Sequence, residues 1–70
     1  MKLSARNILP GKVISVKKGP INSLVVLEIA PGVRLTSVIT ANAATELKLK
    51  KGTAACAVIK STSILLGVDD

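Results

Sequence analysis

The sequence predicts an all-β fold: a five-stranded barrel carrying one short helix between its third and fourth strands. Three observations lead there. The apolar residues fall in short runs rich in Val and Ile, the β-branched residues that suit a pleated surface. Turn residues separate those runs at Gly19-Pro20, Pro31-Gly32 and Gly52. One stretch alone, ANAATELKL, replaces the β-branched pattern with Ala, Glu, Leu and Lys, which favour helix.

LPGKVISVKKGP supplies the first strand, over residues 11–17, closed by Gly19-Pro20. SLVVLEI supplies the second, over residues 23–29. Ala30, Pro31, Gly32 and Val33 form a turn, with Pro suited to its first corner and Gly free to take positive φ. RLTSVIT pairs back as the third strand, over residues 34–40. The helix follows over residues 41–47, with Thr40 or Asn42 as the N-cap that accepts from the first-turn amides. Lys50, Lys51 and Gly52 are expected to end it, cations in the last turn and Gly just beyond. TAACAVIKS and SILLGV give the fourth and fifth strands. Three strands, a helix and two more strands is the order of a Greek-key barrel of the OB-fold kind. With no repeat, linker or low-complexity stretch, residues 1–70 read as a single domain.

A chain of 70 residues buries only about 60% of its unfolded surface, so its own core gives marginal stability. This one has no Phe, Tyr or Trp, the residues that bury most area apiece, although 49% of it is hydrophobic. A single cysteine, Cys56, excludes an internal disulfide, and the lack of His excludes a His-containing zinc site. No bare metal ion is expected. Self-association is the remaining way to stabilise so thin a domain. The strands agree: VVLEI and AACAVI are apolar or small on both faces, which implies burial on both. Cys56, between alanines, reads as a buried small hydrophobe.

Lys and Arg outnumber Asp and Glu by 10 to 4, a formal charge of +6. That balance points to an anionic partner, and bound anions would relieve the repulsion between associated copies. No apolar run reaches the roughly 18 residues of a membrane span. MKLSARN lacks the apolar segment of a secretory signal, so the cytoplasm is the expected location, in keeping with one reduced thiol.

Two stretches are built almost wholly of donors. SARN offers the Ser4 hydroxyl and the Arg6 guanidinium, a planar five-donor fork. IKSTS offers the Lys60 ammonium and the Ser61 hydroxyl. The helix start at Thr40 adds unpaired amides with the positive end of a dipole behind them. Singly, these are a solvated tail, a strand exit and a cap; together in so short a chain they describe an oxyanion site. The hairpin KKGPIN, otherwise a solvated turn, could form a second one if several copies met there.

SARN, the GKV strand that follows, VITANAATEL and AVIKSTSI resemble the molbindins, the small molybdate-binding proteins of the Mop family. The likeness runs from Ser4 to Gly67 in the family's order and spacing. It implies OB-like barrels assembled as homohexamers that hold molybdate or tungstate between subunits, with no organic cofactor. Carried across, Ser4, Ala5 and Arg6 belong to the oxyanion box of one subunit. Lys60 and Ser61 are the late-strand pair, and Thr40, with the Ala43 backbone, is the helix-start segment. A second site type falls around Lys18, Gly19, Pro20, Ile21 and Asn22.

The donor chemistry points the same way. Molybdate at neutral pH is a dianion that accepts at all four oxygens, whereas phosphate keeps a proton that needs an acceptor. A pocket without a carboxylate leaves that proton unpaired and disfavours phosphate. Sulfate can be excluded only by size, and tungstate hardly at all. The alternative is a small basic OB-fold module binding RNA or single-stranded DNA. Such modules stack bases on aromatic side chains, and this chain has none. An enzyme is disfavoured too: there is no His, and the acids are only Glu28, Glu46, Asp69 and Asp70. The expected function is non-enzymatic oxyanion storage or homeostasis.

Overall fold

The computed structural model describes residues 3–69. It contains four strands, β1 (Asn7–Lys18), β2 (Asn22–Ala30), β3 (Val33–Thr40) and β4 (Ala54–Ile59), and one helix, α1 (Ala41–Glu46). The strands form one antiparallel sheet in the order β3-β2-β1-β4. The three early strands and the helix fall where their sequence signals place them. Among the described residues the expected fifth strand does not form: residues 64–69 have no ladder partner there.

β1 begins at Asn7 rather than at residue 11 because it serves two neighbours in succession. Its first half pairs with β4, from Asn7↔Ile59 to Lys12↔Ala54. Its second half pairs with β2, from Lys12↔Glu28 to Lys18↔Ser23. The first half therefore has a neighbour on one side only, which is where Pro10 is tolerated inside a strand. The register steps between Val13 and Ser15, a bulge at Ile14 that bends and twists the strand. Gly11 sits at the hand-over. A Cβ there would lie 2.7 Å from the Glu28 carbonyl oxygen, so only Gly allows the two backbones this close. Gly11→Ala is expected to cost about 1–3 kcal/mol through overpacking, read as a lower urea midpoint.

The curled sheet encloses Val13, Val25 and Leu27, with Ile39, Leu49, Ala55 and Ala57 packed around them. Val13↔Leu27 and Val16↔Val25 face each other across β1 and β2, so the core is a set of cross-strand pairs. Ser23 is the polar exception, 1% exposed with a hydroxyl that has no hydrogen-bond partner among the described residues. An unpaired buried hydroxyl costs about 1–3 kcal/mol, so Ser23→Ala is expected to raise the unfolding midpoint.

The outer face carries apolar pairs as well. Ile8 pairs with Val58 and Leu24 with Val38, and all four are exposed. Cys56, opposite Pro10, shares that outer face and is exposed in the single chain, contrary to the expected burial. Its strand alternates, and Ala55 and Ala57 take the inward positions.

Thr40 is the cap of α1: its Oγ1 accepts from the Ala43 N–H at 3.0 Å. The helix ends at Glu46, within one residue of the expected 47, but Lys50 and Gly52 do not terminate it. Leu49 N–H donates to the Ala44 carbonyl and Lys48 N–H to that of Thr45, the paired bonds of a Schellman end. Lys48 takes the left-handed conformation there, at φ 54°, and no cation lies in the last turn. Gly52, at φ 95°, serves the separate turn into β4.

With β3 and β4 on its two edges the sheet stays open. An apolar groove of about 290 Å³ separates them, lined by Leu27, Leu35, Ile39, Leu49, Ala57 and Ile59 among others. After β4 comes a 3₁₀ turn, Ser61–Ser63. Beyond it Leu65, Leu66 and Val68 are 94%, 95% and 91% exposed. Among the described residues, no helix is long and apolar enough to cross a membrane.

Candidate functional site

The β1–β4 ladder decides which of the expected donors meet. Asn7↔Ile59 is its last pair, so the residues just outside it, Arg6 and Lys60, leave the sheet side by side. They line a cleft of about 130 Å³ together with Ser4, Ala5, Ser61 and Thr62. At about 30 Å³ of liquid per water, this is room for an ion of four oxygens. Among the described residues, no carboxylate lines it. Arg6, Ser4, Lys60 and Ser61 are exposed in the single chain, so their polar groups stay solvated rather than buried in a core.

The 3₁₀ turn adds donors. Ser63 N–H donates to the Lys60 carbonyl at 2.9 Å, which fixes the turn, while the N–H groups of Ser61 and Thr62 have no acceptor among the described residues. Thr62 is the lining residue that sequence reasoning missed. Its signal was the STS run itself: short hydroxyl side chains that favour a tight turn over a continuing strand. The cleft thus holds two fixed cations, three hydroxyls and free backbone amides.

Thr40 and Ala43 are not in this cleft. Thr40 pairs with Asn22, and the next residue, Ser23, lies opposite Lys18 at the far end of β1 from Asn7. There the helix start meets the hairpin instead: Ala41 N–H donates to the Ile21 carbonyl at 2.8 Å, and Gly19 N–H to that of Asn22 at 2.8 Å. Lys18, Gly19, Pro20, Ile21 and Asn22 are therefore neighbours of Thr40, not of Arg6. The Ala43 amide is already taken by the Thr40 cap. A hydroxyl oxygen that accepts keeps its own proton to donate, so the Thr40 O–H remains available. The single chain holds two separate groups of donors at opposite ends of its longest strand.

A small, curled β sheet whose strand ends carry an anion-shaped set of donors is the class this geometry defines. The model of the TOBE domain matches residues 3–66, and the chain belongs to that family. A relative places it more narrowly, among the Mop proteins: molybdenum-pterin-binding protein 3 of Clostridium pasteurianum is 50% identical over 66 residues, 94% of this chain and 97% of that one. Solved structures agree. MopII from Clostridium pasteurianum superposes with a TM-score of 0.89 at 45% identity, over 96% of this chain and all of that one. The cytoplasmic molybdate-binding protein ModG, with molybdate bound, gives a TM-score of 0.93 at 45% identity, over 99% of this chain and 49% of that one. The resemblance carried by SARN, VITANAATEL and AVIKSTSI thus has its counterpart in whole-chain similarity.

Proposed function

We propose that this protein binds molybdate reversibly, without chemistry, at sites that separate copies build together. The observation that carries the reading is the split of the donor set. Ser4, Ala5, Arg6, Lys60 and Ser61 share one cleft, while Thr40 and Ala43 lie at the other end of β1. A second copy that brings its helix start to the cleft of the first adds the Thr40 hydroxyl and removes water from around the ion. Drying the site strengthens every charge-assisted bond to it. The relatives named above, one of them described as a molybdate-binding protein, support the choice of ion.

Assembly follows from the apolar surface. The Ile8–Val58 and Leu24–Val38 pairs form two outward patches, suited to a closed assembly with more than one kind of contact. We extend this to a homohexamer, as the molbindin resemblance implies. In it, residues 64–68 supply the fifth strand of the barrel by lying along the open edge of a neighbouring copy. Lys18, Gly19, Pro20, Ile21 and Asn22 form a second site type where copies converge. Residues 1–70 act as one domain, and the role is storage or homeostasis in the cytoplasm, where ModG is described. Tungstate binds about as well as molybdate, since the two ions share charge and shape.

Equilibrium dialysis against molybdate, tungstate, sulfate and phosphate tests the reading. Molybdate and tungstate are expected to be retained in competition with phosphate. Retention of none of the four, or of phosphate in preference, would contradict it.

A further inference from the structure

We propose that Asn7 is a positioning residue for the oxyanion cleft, its side-chain amide holding the Ile59 carbonyl so that Arg6 and Lys60 keep the spacing the anion needs. The inference rests on the oxyanion reading above and deepens it.

Asn7 Nδ2 donates to the Ile59 carbonyl at 3.4 Å, in a half-buried setting. The two residues are also the final register pair between β1 and β4. Just beyond them the strands part: residues 3–6 leave the sheet, and Lys60 turns into the 3₁₀ segment. The groups carried outward on the two ends are both cations, with no carboxylate in the cleft to separate them. Like charges directly opposite destabilise a ladder. This ladder end therefore has reason to open when no anion is bound, and the Asn7 side chain adds a tie beside the backbone ladder.

The residue type supports the same conclusion. Asn7 shares the inward side of β1 with Leu9, Gly11 and Val13, a side that otherwise carries apolar or small residues. Asn is depleted in strands and would be a poor choice there for packing alone. A polar residue that breaks the local pattern beside a binding cleft is explained by the bond it makes. Asn7 makes no contact with the anion in this account. It acts through the positions of Arg6 and Lys60, much as an outer partner fixes a metal ligand.

Equilibrium dialysis with molybdate on the full chain tests the inference, over a range of salt concentrations. Asn7→Leu keeps the branching of the side chain, with somewhat larger terminal groups, and removes the donor. It is expected to bind roughly three- to tenfold more weakly, the loss of one hydrogen bond, with the salt dependence of the unaltered protein. Arg6→Ala, which removes a charge, is expected to flatten that salt dependence as well. Asn7→Gln restores the donor and is expected to recover most of the affinity. Should Asn7→Leu not fold, Asn7→Ala takes its place with the same expected loss. Unchanged affinity in Asn7→Leu or Asn7→Ala, while the unaltered protein binds, overturns the positioning role. A loss that Asn7→Gln fails to reverse does so too, since it would mark Asn7 as a general packing position. No binding by the unaltered protein overturns the oxyanion reading, and this inference with it.

Discussion

Arg6→Ala is expected to weaken molybdate binding by about a hundredfold. A hydrogen bond to a charged group contributes about 1.5–3 kcal/mol, and every 1.4 kcal/mol is tenfold in affinity. The guanidinium can give two parallel bonds to two oxygens of one ion, so its loss sits at the upper end of that range. Arg6→Lys keeps the charge and loses the fork, and an intermediate loss is expected. Lys60→Ala removes the other cation of the cleft and is expected to approach the effect of Arg6→Ala. Isothermal titration with molybdate reads all three. An Arg6→Ala protein with unaltered affinity would remove Arg6 from the site.

Replacing both Leu65 and Leu66 by Asp is expected to yield monomers that no longer hold the anion. These side chains are 95% and 94% exposed, in the order Leu66 and Leu65, and Val68 beside them is 91% exposed. Burying a Leu or Val side chain fully gives about 1.5–3 kcal/mol, so the three together are worth about 5–9 kcal/mol. A domain of this length has a total stability of about 4–10 kcal/mol. Docking of the segment is therefore comparable to the whole stability of one copy, and two carboxylates at its centre abolish it. Sedimentation analysis reads the mass and dialysis reads the anion. A double variant that stays assembled and keeps its anion would show that residues 64–68 do not mediate the contact.

The parts of the fold that depend on near neighbours in the chain were legible in the sequence. The Pro31-Gly32 turn, the Thr40 cap and the three early strands each rest on residues a few positions apart. The helix end fell within one residue of the expected 47, but the residues that make it were not legible: Lys48 adopts the left-handed conformation that Gly usually takes, and Gly52 belongs to the next turn. The early start of β1 was hidden by Pro10, which reads as a strand breaker until β1 is seen to have only one neighbour there. The fifth strand differs for another reason: its sequence is strand-like, but residues 64–69 have no partner strand among the described residues.

For the candidate site, SARN and IKSTS could be joined from sequence because both are donor-rich, and the β1–β4 register does bring them together. What sequence order could not give was the distance of Thr40 from them. That depends on β1 spanning the sheet with β4 at one end and β2 at the other. The outward position of Cys56 likewise follows from strand register, which shifts a side chain to the opposite face with every single step.

Native mass spectrometry of the purified chain, with and without molybdate, tests the central claim most directly because it counts subunits and bound ions in one measurement. The account predicts an assembly, six copies in its fullest form, that gains whole molybdate ions and is lost together with them in the Leu65 and Leu66 double variant. A monomer that carries no oxyanion at any molybdate concentration would contradict it.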